Sequence, residues 1–259
     1  MPEGDTVYRA AAHLDEVLHG QVLTRCDIRV PAFATVDLSG RRVDEVVARG
    51  KHLLHRVGDT TIHTHLKMEG SWHRYRHGTR WRRPAHTARI VLETADWVTV
   101  GFSLGVVELV AREREDDVVG YLGPDILGAD WDRAEALRRL TADPERPIGL
   151  ALLDQRVIAG LGNVYRNEVL FLRGIRPTRP VSEVADPDAL VALAERLIRA
   201  NRDRTERSTT GDLRPGRRAW VSHREGKRCL RCGTPIQQGA LGEDELTERQ
   251  TFVCPVCQS

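Results

Sequence analysis

The sequence predicts an α+β protein: an N-terminal antiparallel β-sandwich headed by one helix, then a helical domain that ends in a four-cysteine β-hairpin. Three observations carry this. Seven β-branched, alternating segments fall between residues 22 and 111, helical apolar spacing takes over between residues 132 and 200, and two Cys-x-x-Cys pairs close the chain. At 259 residues the chain is too long for a comfortable single core. The expected divisions are 1–120 for the sandwich, 121–222 for the helical domain and 223–259 for the cysteine finger.

The first helix follows from Val7, Ala10, Ala11, Leu14, Val17 and Leu18, one apolar face that stops at Gly20. The strands are expected at Val22 to Val30, Arg42 to Ala48, His52 to Val57, Thr60 to Leu66, Ala88 to Glu93, Trp97 to Phe102 and Val106 to Ala111. Leu38-Ser-Gly40 and Val57-Gly-Asp59 read as turns between them. An acidic bridge, Arg112 to Asp117, and the Gly/Pro-rich Gly120 to Gly128 mark the domain boundary. Helices are expected at Asp132 to Leu140, Ile148 to Ile158, Asn163 to Leu172 and Asp186 to Ala200, the last with Pro187 in its first turn.

No apolar run approaches the ~20 residues of a bilayer span, and the opening Met-Pro-Glu-Gly-Asp lacks the pattern of a secretory signal, so a cytoplasmic protein is expected. Net charge is only +2, but its distribution is uneven. Gly70 to Leu92 holds six arginines and no acid, with Trp72, Tyr75 and Trp81 among them; Arg199 to Cys232 holds ten arginines and Lys227 against four acids. Interleaved arginine and aromatic residues suit a phosphate backbone and exposed base faces. A solvated basic face is the plainer reading of either tract alone, and the pair together points to nucleic acid.

Cys229, Cys232, Cys254 and Cys257 form two knuckles separated by 21 residues. Zn(II) takes four thiolates in a tetrahedron, and two knuckles on a hairpin supply them with little strain. One structural zinc ion is therefore expected, with a redox dithiol pair or two disulfides as the weaker readings in a chain without a secretory signal. Cys26 is left over and is expected to be buried and inert. His63 and His65 share a strand face and read as a packed or solvated pair rather than a metal site.

Gly160-Leu-Gly-Asn163 lies between two helical stretches. The glycines permit a sharp turn, and Asn163 is expected to cap the following helix with its amide outward, beside backbone donors that form an anion site. The stretch resembles the helix-two-turn-helix element of the Fpg/Nei family of DNA glycosylase/AP lyases. Met1-Pro2-Glu3-Gly4, Arg49-Gly-Lys51-His-Leu-Leu54, His65-Leu-Lys-Met-Glu-Gly70, Leu122-Gly-Pro-Asp125 and Arg249-Gln-Thr-Phe-Val-Cys254 extend the resemblance over nearly the full length, in the family's order. It lies nearest the endonuclease VIII branch.

The resemblance implies base excision repair of damaged double-stranded DNA, with single-stranded or bubble DNA left open, by a nucleoid-associated monomer. Removal of Met1 would leave Pro2 with a secondary amine whose pKa near ~8 keeps it partly unprotonated at neutral pH. Its attack on the sugar C1′ would expel the base and leave an iminium, and β,δ-elimination would then cut the strand. By resemblance, Glu3 is the general acid/base, Lys51 and Arg249 hold phosphates around the lesion, and Lys67 and Met68 belong to the loop that fills the void of the flipped nucleotide. Without the resemblance, Glu3 is a carboxylate at a helix N-terminus, Lys51 a solvated charge and Met68 a core filler.

Two departures bear on the substrate. Gly101-Phe-Ser-Leu-Gly105 stands where the Fpg branch has Arg-Phe-Gly, and the loop before Trp220 is shorter than that branch's purine-capping loop. Oxidised pyrimidines are thus expected in preference to 8-oxoguanine. Asp5-Thr6, Lys67-Met-Glu69 and the long finger loop also depart from the endonuclease VIII pattern, which bears on opposite-base preference. The rival readings are a zinc-finger DNA-binding regulator and a lesion-binding homologue without catalysis.

Overall fold

The computed structural model describes residues 2–259. They form two compact units, one ending at Tyr121 and one spanning Leu122–Ser259.

In the first unit, α1 (Gly4–Leu18) buries Val7, Ala11, Leu14, Val17 and Leu18 along one face. Glu3 precedes it in extended conformation, and its carbonyl accepts from the Thr6 and Val7 amides at 2.9 and 3.0 Å, which starts the helix. Eight strands follow: β1 (Arg25–Ile28), β2 (Val43–Arg49), β3 (His52–Val57), β4 (Thr60–His65), β5 (Ser71–Arg76), β6 (Ala88–Glu93), β7 (Trp97–Phe102) and β8 (Val106–Ala111). They make two antiparallel four-stranded sheets, ordered β1-β6-β7-β5 and β2-β3-β4-β8. A short α2 (Asp116–Val119) completes the unit. One apolar core joins Leu14 and Leu18 of α1, Val46, Leu53 and Ile62 of the β2-β3-β4-β8 sheet, and Ile90 and Leu92 of the other. Each fully buried side chain of this kind contributes about 1.5–3 kcal/mol, so the core fixes which face of every strand points inward.

The strand β5 lies in what the sequence presents only as a basic tract. It is an edge strand paired with β7 alone, and arginine stems cover its flank instead of aliphatic side chains. The Arg76 guanidinium lies 3.9 Å from the Trp97 ring centre, and Arg74 pairs with Glu16 at 2.8 Å. Cys26, expected to be buried, is half-covered on β1, and burial still pushes its thiol up.

The second unit contains α3 (Arg133–Leu140), α4 (Ile148–Ala151), α5 (Asn163–Arg173), α6 (Pro187–Asn201) and the hairpin β9 (Gln237–Leu241) and β10 (Arg249–Val253). Asp132 and Asp186 cap α3 and α6 by accepting from the Glu135 and Ala189 amides. Gly174, at φ +71°, ends α5 in the left-handed conformation that glycine adopts without strain. The helix expected over Ile148 to Ile158 is a single turn, Ile148–Ala151. Asp154 stops it: its carboxylate takes the Arg156 amide at 2.9 Å and the Arg146 guanidinium at 2.9 Å, an arrangement that competes with continued helix. The Gln155 side chain then bridges Leu153, Gly160 and Leu161 and shapes the turn beyond.

The helix α5 is buried from Asn163 to Phe171 and organises this unit. Its wholly buried Glu168 accepts from the amides of Trp220, Val221 and Ser222 at 2.8, 3.0 and 2.8 Å and from the Thr209 hydroxyl. Four donors satisfy a carboxylate that burial alone would penalise by several kcal/mol. Phe171 meets Ile236, Phe252 and Cys254 in one apolar cluster, so the hairpin is packed on α5.

Candidate active site and metal centre

At the start of the described chain, Pro2 is half-buried and Glu3 is fully buried. Glu3 makes no side-chain cap, and Asp5 takes the Thr6 amide at 2.7 Å instead. The first turn of α1 thus carries two buried carboxyl groups directly after the proline, where the helix dipole favours negative charge.

Lys51 lies in the two-residue turn between β2 and β3, whose first residue, Gly50, has φ +59°. The register of β3 and β4 sets His52 opposite His65, with His63 diagonal to it on the same face. His52 Nδ1 lies 2.7 Å from His63 Nε2, His52 Nε2 3.0 Å from the Tyr121 hydroxyl, and His63 Nδ1 3.0 Å from Glu108. Burial, with the charges of the neighbouring histidines and of Lys67 and Lys51, holds the His52 imidazole down to about 3. Burial followed by Lys67 and Lys51 holds His65 at about 4. Both rings are therefore neutral at physiological pH, beside two ammonium groups.

The next loop hangs from the same histidines. The Lys67 amide donates to His65 Nδ1 at 2.9 Å, and Lys67 has φ +50°. Gly70 closes the loop by donating to the Leu66 carbonyl, 2.9 Å away; a Cβ at Gly70 would lie 2.4 Å from that oxygen, so only glycine fits. Met68, at the tip, is 66% exposed and is not a core filler. The first unit thus brings Lys51 and Lys67 to one histidine cluster. Sequence reading singled out His63 and His65 and passed over His52, because its place opposite His65 follows only from the strand register.

In the second unit, Gly160 has φ +97°, and Gly162 rather than Asn163 occupies the cap position of α5. The Asn163 amide, expected to face outward, donates to the Gln250 carbonyl at 2.9 Å. Arg166 and Asn167 donate to the same oxygen at 2.8 and 3.4 Å, and Asn167 accepts from the Phe252 amide at 3.0 Å. A carbonyl can accept more than one donor, so this arrangement ties β10 to the turn. Arg249, next to Gln250, is exposed, and its guanidinium donates to the Thr247 and Glu248 carbonyls at 3.1 and 2.8 Å. Asn163 and Arg249 are therefore brought together through Gln250, and neither Arg166 nor Asn167 was singled out from sequence. Both lie on a helical face that periodicity assigns only to packing.

The four cysteines do converge. Their sulfurs lie within 4.8 Å of one another, with Cys229 to Cys257 at 4.0 Å and Cys232 to Cys254 at 3.4 Å. A tetrahedral zinc with ~2.3 Å bonds needs sulfurs about 3.8 Å apart, so the residues fit that ion. Burial and the neighbouring sulfurs push Cys257 up to about 12, the penalty that a bound cation removes. Among the described residues, no helix is long and apolar enough to cross a membrane.

The formamidopyrimidine-DNA glycosylase N-terminal domain matches residues 1–103, and the formamidopyrimidine-DNA glycosylase H2TH domain matches residues 122–202. The chain is 53% identical to the DNA-(apurinic or apyrimidinic site) lyase Nei2 of Mycolicibacterium smegmatis, covering 100% of this chain and 99% of the relative. It is 52% identical to Endonuclease 8 2 of Mycobacterium tuberculosis, covering all of both. A structure of MutM in complex with DNA containing carbocyclic 8-oxo-G superposes with a TM-score of 0.81 at 23% identity, covering all of both chains. The Lactococcus lactis Fpg in complex with DNA containing an abasic site gives the same TM-score, identity and coverage.

Proposed function

The chain belongs to the formamidopyrimidine-DNA glycosylase family, and on that premise we propose how it works as a bifunctional DNA glycosylase and AP lyase of base excision repair. The observation that carries the activity is the full-length identity with a named AP lyase. Its partner is damaged DNA, and its place of work is the nucleoid. Oxidised pyrimidines are the favoured substrate, because Gly101-Phe-Ser-Leu-Gly105 lacks the arginine of the Fpg branch.

Once Met1 is removed, the Pro2 nitrogen attacks C1′ of the lesion sugar. The C1′–N bond to the base breaks, the base leaves with a proton, and Glu3 exchanges protons as the ring opens. The resulting iminium acidifies the C2′ hydrogen; loss of that proton expels the 3′ phosphate, and a second elimination expels the 5′ phosphate. Lys51, Lys67 and Arg249 hold the negatively charged backbone, and the exposed Met68 enters the stack where the nucleotide has left. Asn163 serves by fixing β10, and so Arg249, to the turn. Cys229, Cys232, Cys254 and Cys257 would hold one structural Zn(II), which supplies rigidity to the finger and takes no part in bond breaking.

A panel of duplexes with single lesions tests this reading, on protein whose mass has first been checked for loss of Met1. Release of oxidised pyrimidines faster than 8-oxoguanine, with ends from both eliminations, is expected. Binding without base release would favour a non-catalytic lesion binder.

A further inference from the structure

We infer that His52 is a positioning residue for Lys51: hydrogen bonds to its ring fix the Gly50–Lys51 turn and, with His65, join that turn to the Lys67–Glu69 loop. The inference rests on the reading of Lys51 and the Lys67–Glu69 loop as DNA contacts.

With neutral rings the hydrogen bonds run in a consistent direction. The Glu108 carboxylate accepts, so His63 carries its proton on Nδ1 and leaves Nε2 as an acceptor. His52 Nδ1–H then donates to His63 at 2.7 Å, and His52 Nε2 accepts from the Tyr121 hydroxyl at 3.0 Å. Both nitrogens of His52 are engaged, and a flip of the ring would break both bonds. They are also spent on each other, so His52 and His63 offer no convergent lone pairs to a metal ion. The ring stacks on His63 at a centroid distance of 5.0 Å and meets His65 edge-on at 4.9 Å.

The backbone transmits this order in both directions. His52 pairs with Arg49 across the Gly50–Lys51 turn, so a fixed ring fixes the residue on which Lys51 is mounted. Opposite it, His65 accepts the amide of Lys67, which occupies the left-handed region that disfavours a residue with a Cβ. Gly105 makes room for the Lys67 stem: a Cβ there would lie 2.3 Å from Lys67 Cγ. Two loops that would otherwise order separately on DNA are thereby ordered beforehand, which lowers the entropic part of the barrier.

A double-mutant cycle on the full chain tests this, read as single-turnover base release from a lesion duplex at saturating enzyme. Lys51→Ala and His52→Ala should each slow release, His52→Ala by about tenfold, and His52→Ala should cost clearly less than tenfold in the Lys51→Ala background, where only the Lys67–Glu69 loop is left for it to order. Should His52→Ala fail to fold, Tyr121→Phe, which removes one hydroxyl from the same hydrogen-bonded chain, replaces it in the cycle and should slow release less when Lys51 is absent than when it is present. Multiplicative losses, or an unchanged rate in His52→Ala or its replacement while Lys51→Ala is slow, would overturn the inference and leave the reading of Lys51 standing. An unchanged rate in Lys51→Ala would overturn both.

Discussion

His55 shows how burial at a single residue becomes a property of the whole domain. It is fully buried on β3 with its ring centre 4.6 Å from that of Trp72, and burial pushes its imidazole down to about 4. The unfolded chain takes up a proton on this residue near pH 6.5, whereas the native chain resists until about pH 4. Stability from His55 is thus fully present above pH 6.5 and lost as the pH falls towards 4, on the order of 3 kcal/mol in all. His52 and His65 act in the same direction. The urea midpoint should fall between pH 7.5 and pH 4.5, and His55→Leu should flatten much of that slope; equal slopes would refute the assignment. At this scale the sequence marked residues through ordered motifs, as with Lys51 and Arg249. It could not mark His52 or Asn167, whose hydrogen bonds reach partners 11 or more positions away.

Elements were legible where one face is apolar, as in α1 and most strands, and obscure where other side chains do the covering. The strand β5 escaped notice because its arginines and aromatics carry no simple alternation, yet Arg74 and Arg76 stack on Trp97 of the neighbouring β7 and cover that face of the pair. The Ile148–Ile158 reading was too long because Asp154 and Gln155 look helix-compatible in sequence while their side chains bond the backbone. The finger hairpin was marked by its cysteines alone, and its packing was not. Cys254 and Phe252 are buried against Phe171, so apolar contact already holds the element that a bound metal would also hold. Metal-free protein should lose the near-ultraviolet signal of Trp220, which stacks on Phe171, together with DNA affinity, and zinc should restore both. Chelation without either change would show that packing suffices.

At the scale of the molecule, net charge says little and its placement says more. The tract Gly70–Leu92 lies in the first unit, and Arg80, Arg82, Arg83 and Arg89 are exposed and enter no ion pair recorded among the described residues. Arginines of the tract Arg199–Cys232 are partly consumed at home: Arg214 pairs with Asp212, Arg218 with Glu206, and Arg224 holds the carbonyls of Ala219, Trp220 and Arg228. The basic composition of the second tract therefore serves, at least in part, the loop that Glu168 anchors. The proposed reaction depends in the end on one nitrogen, that of Pro2. Borohydride reduction of the protein on DNA with a single abasic site, followed by tryptic mapping, tests that dependence most directly. The account predicts one covalent adduct per chain, on the peptide from Pro2 to Arg9; an adduct on an internal lysine, or no adduct while strand cleavage proceeds, would contradict it.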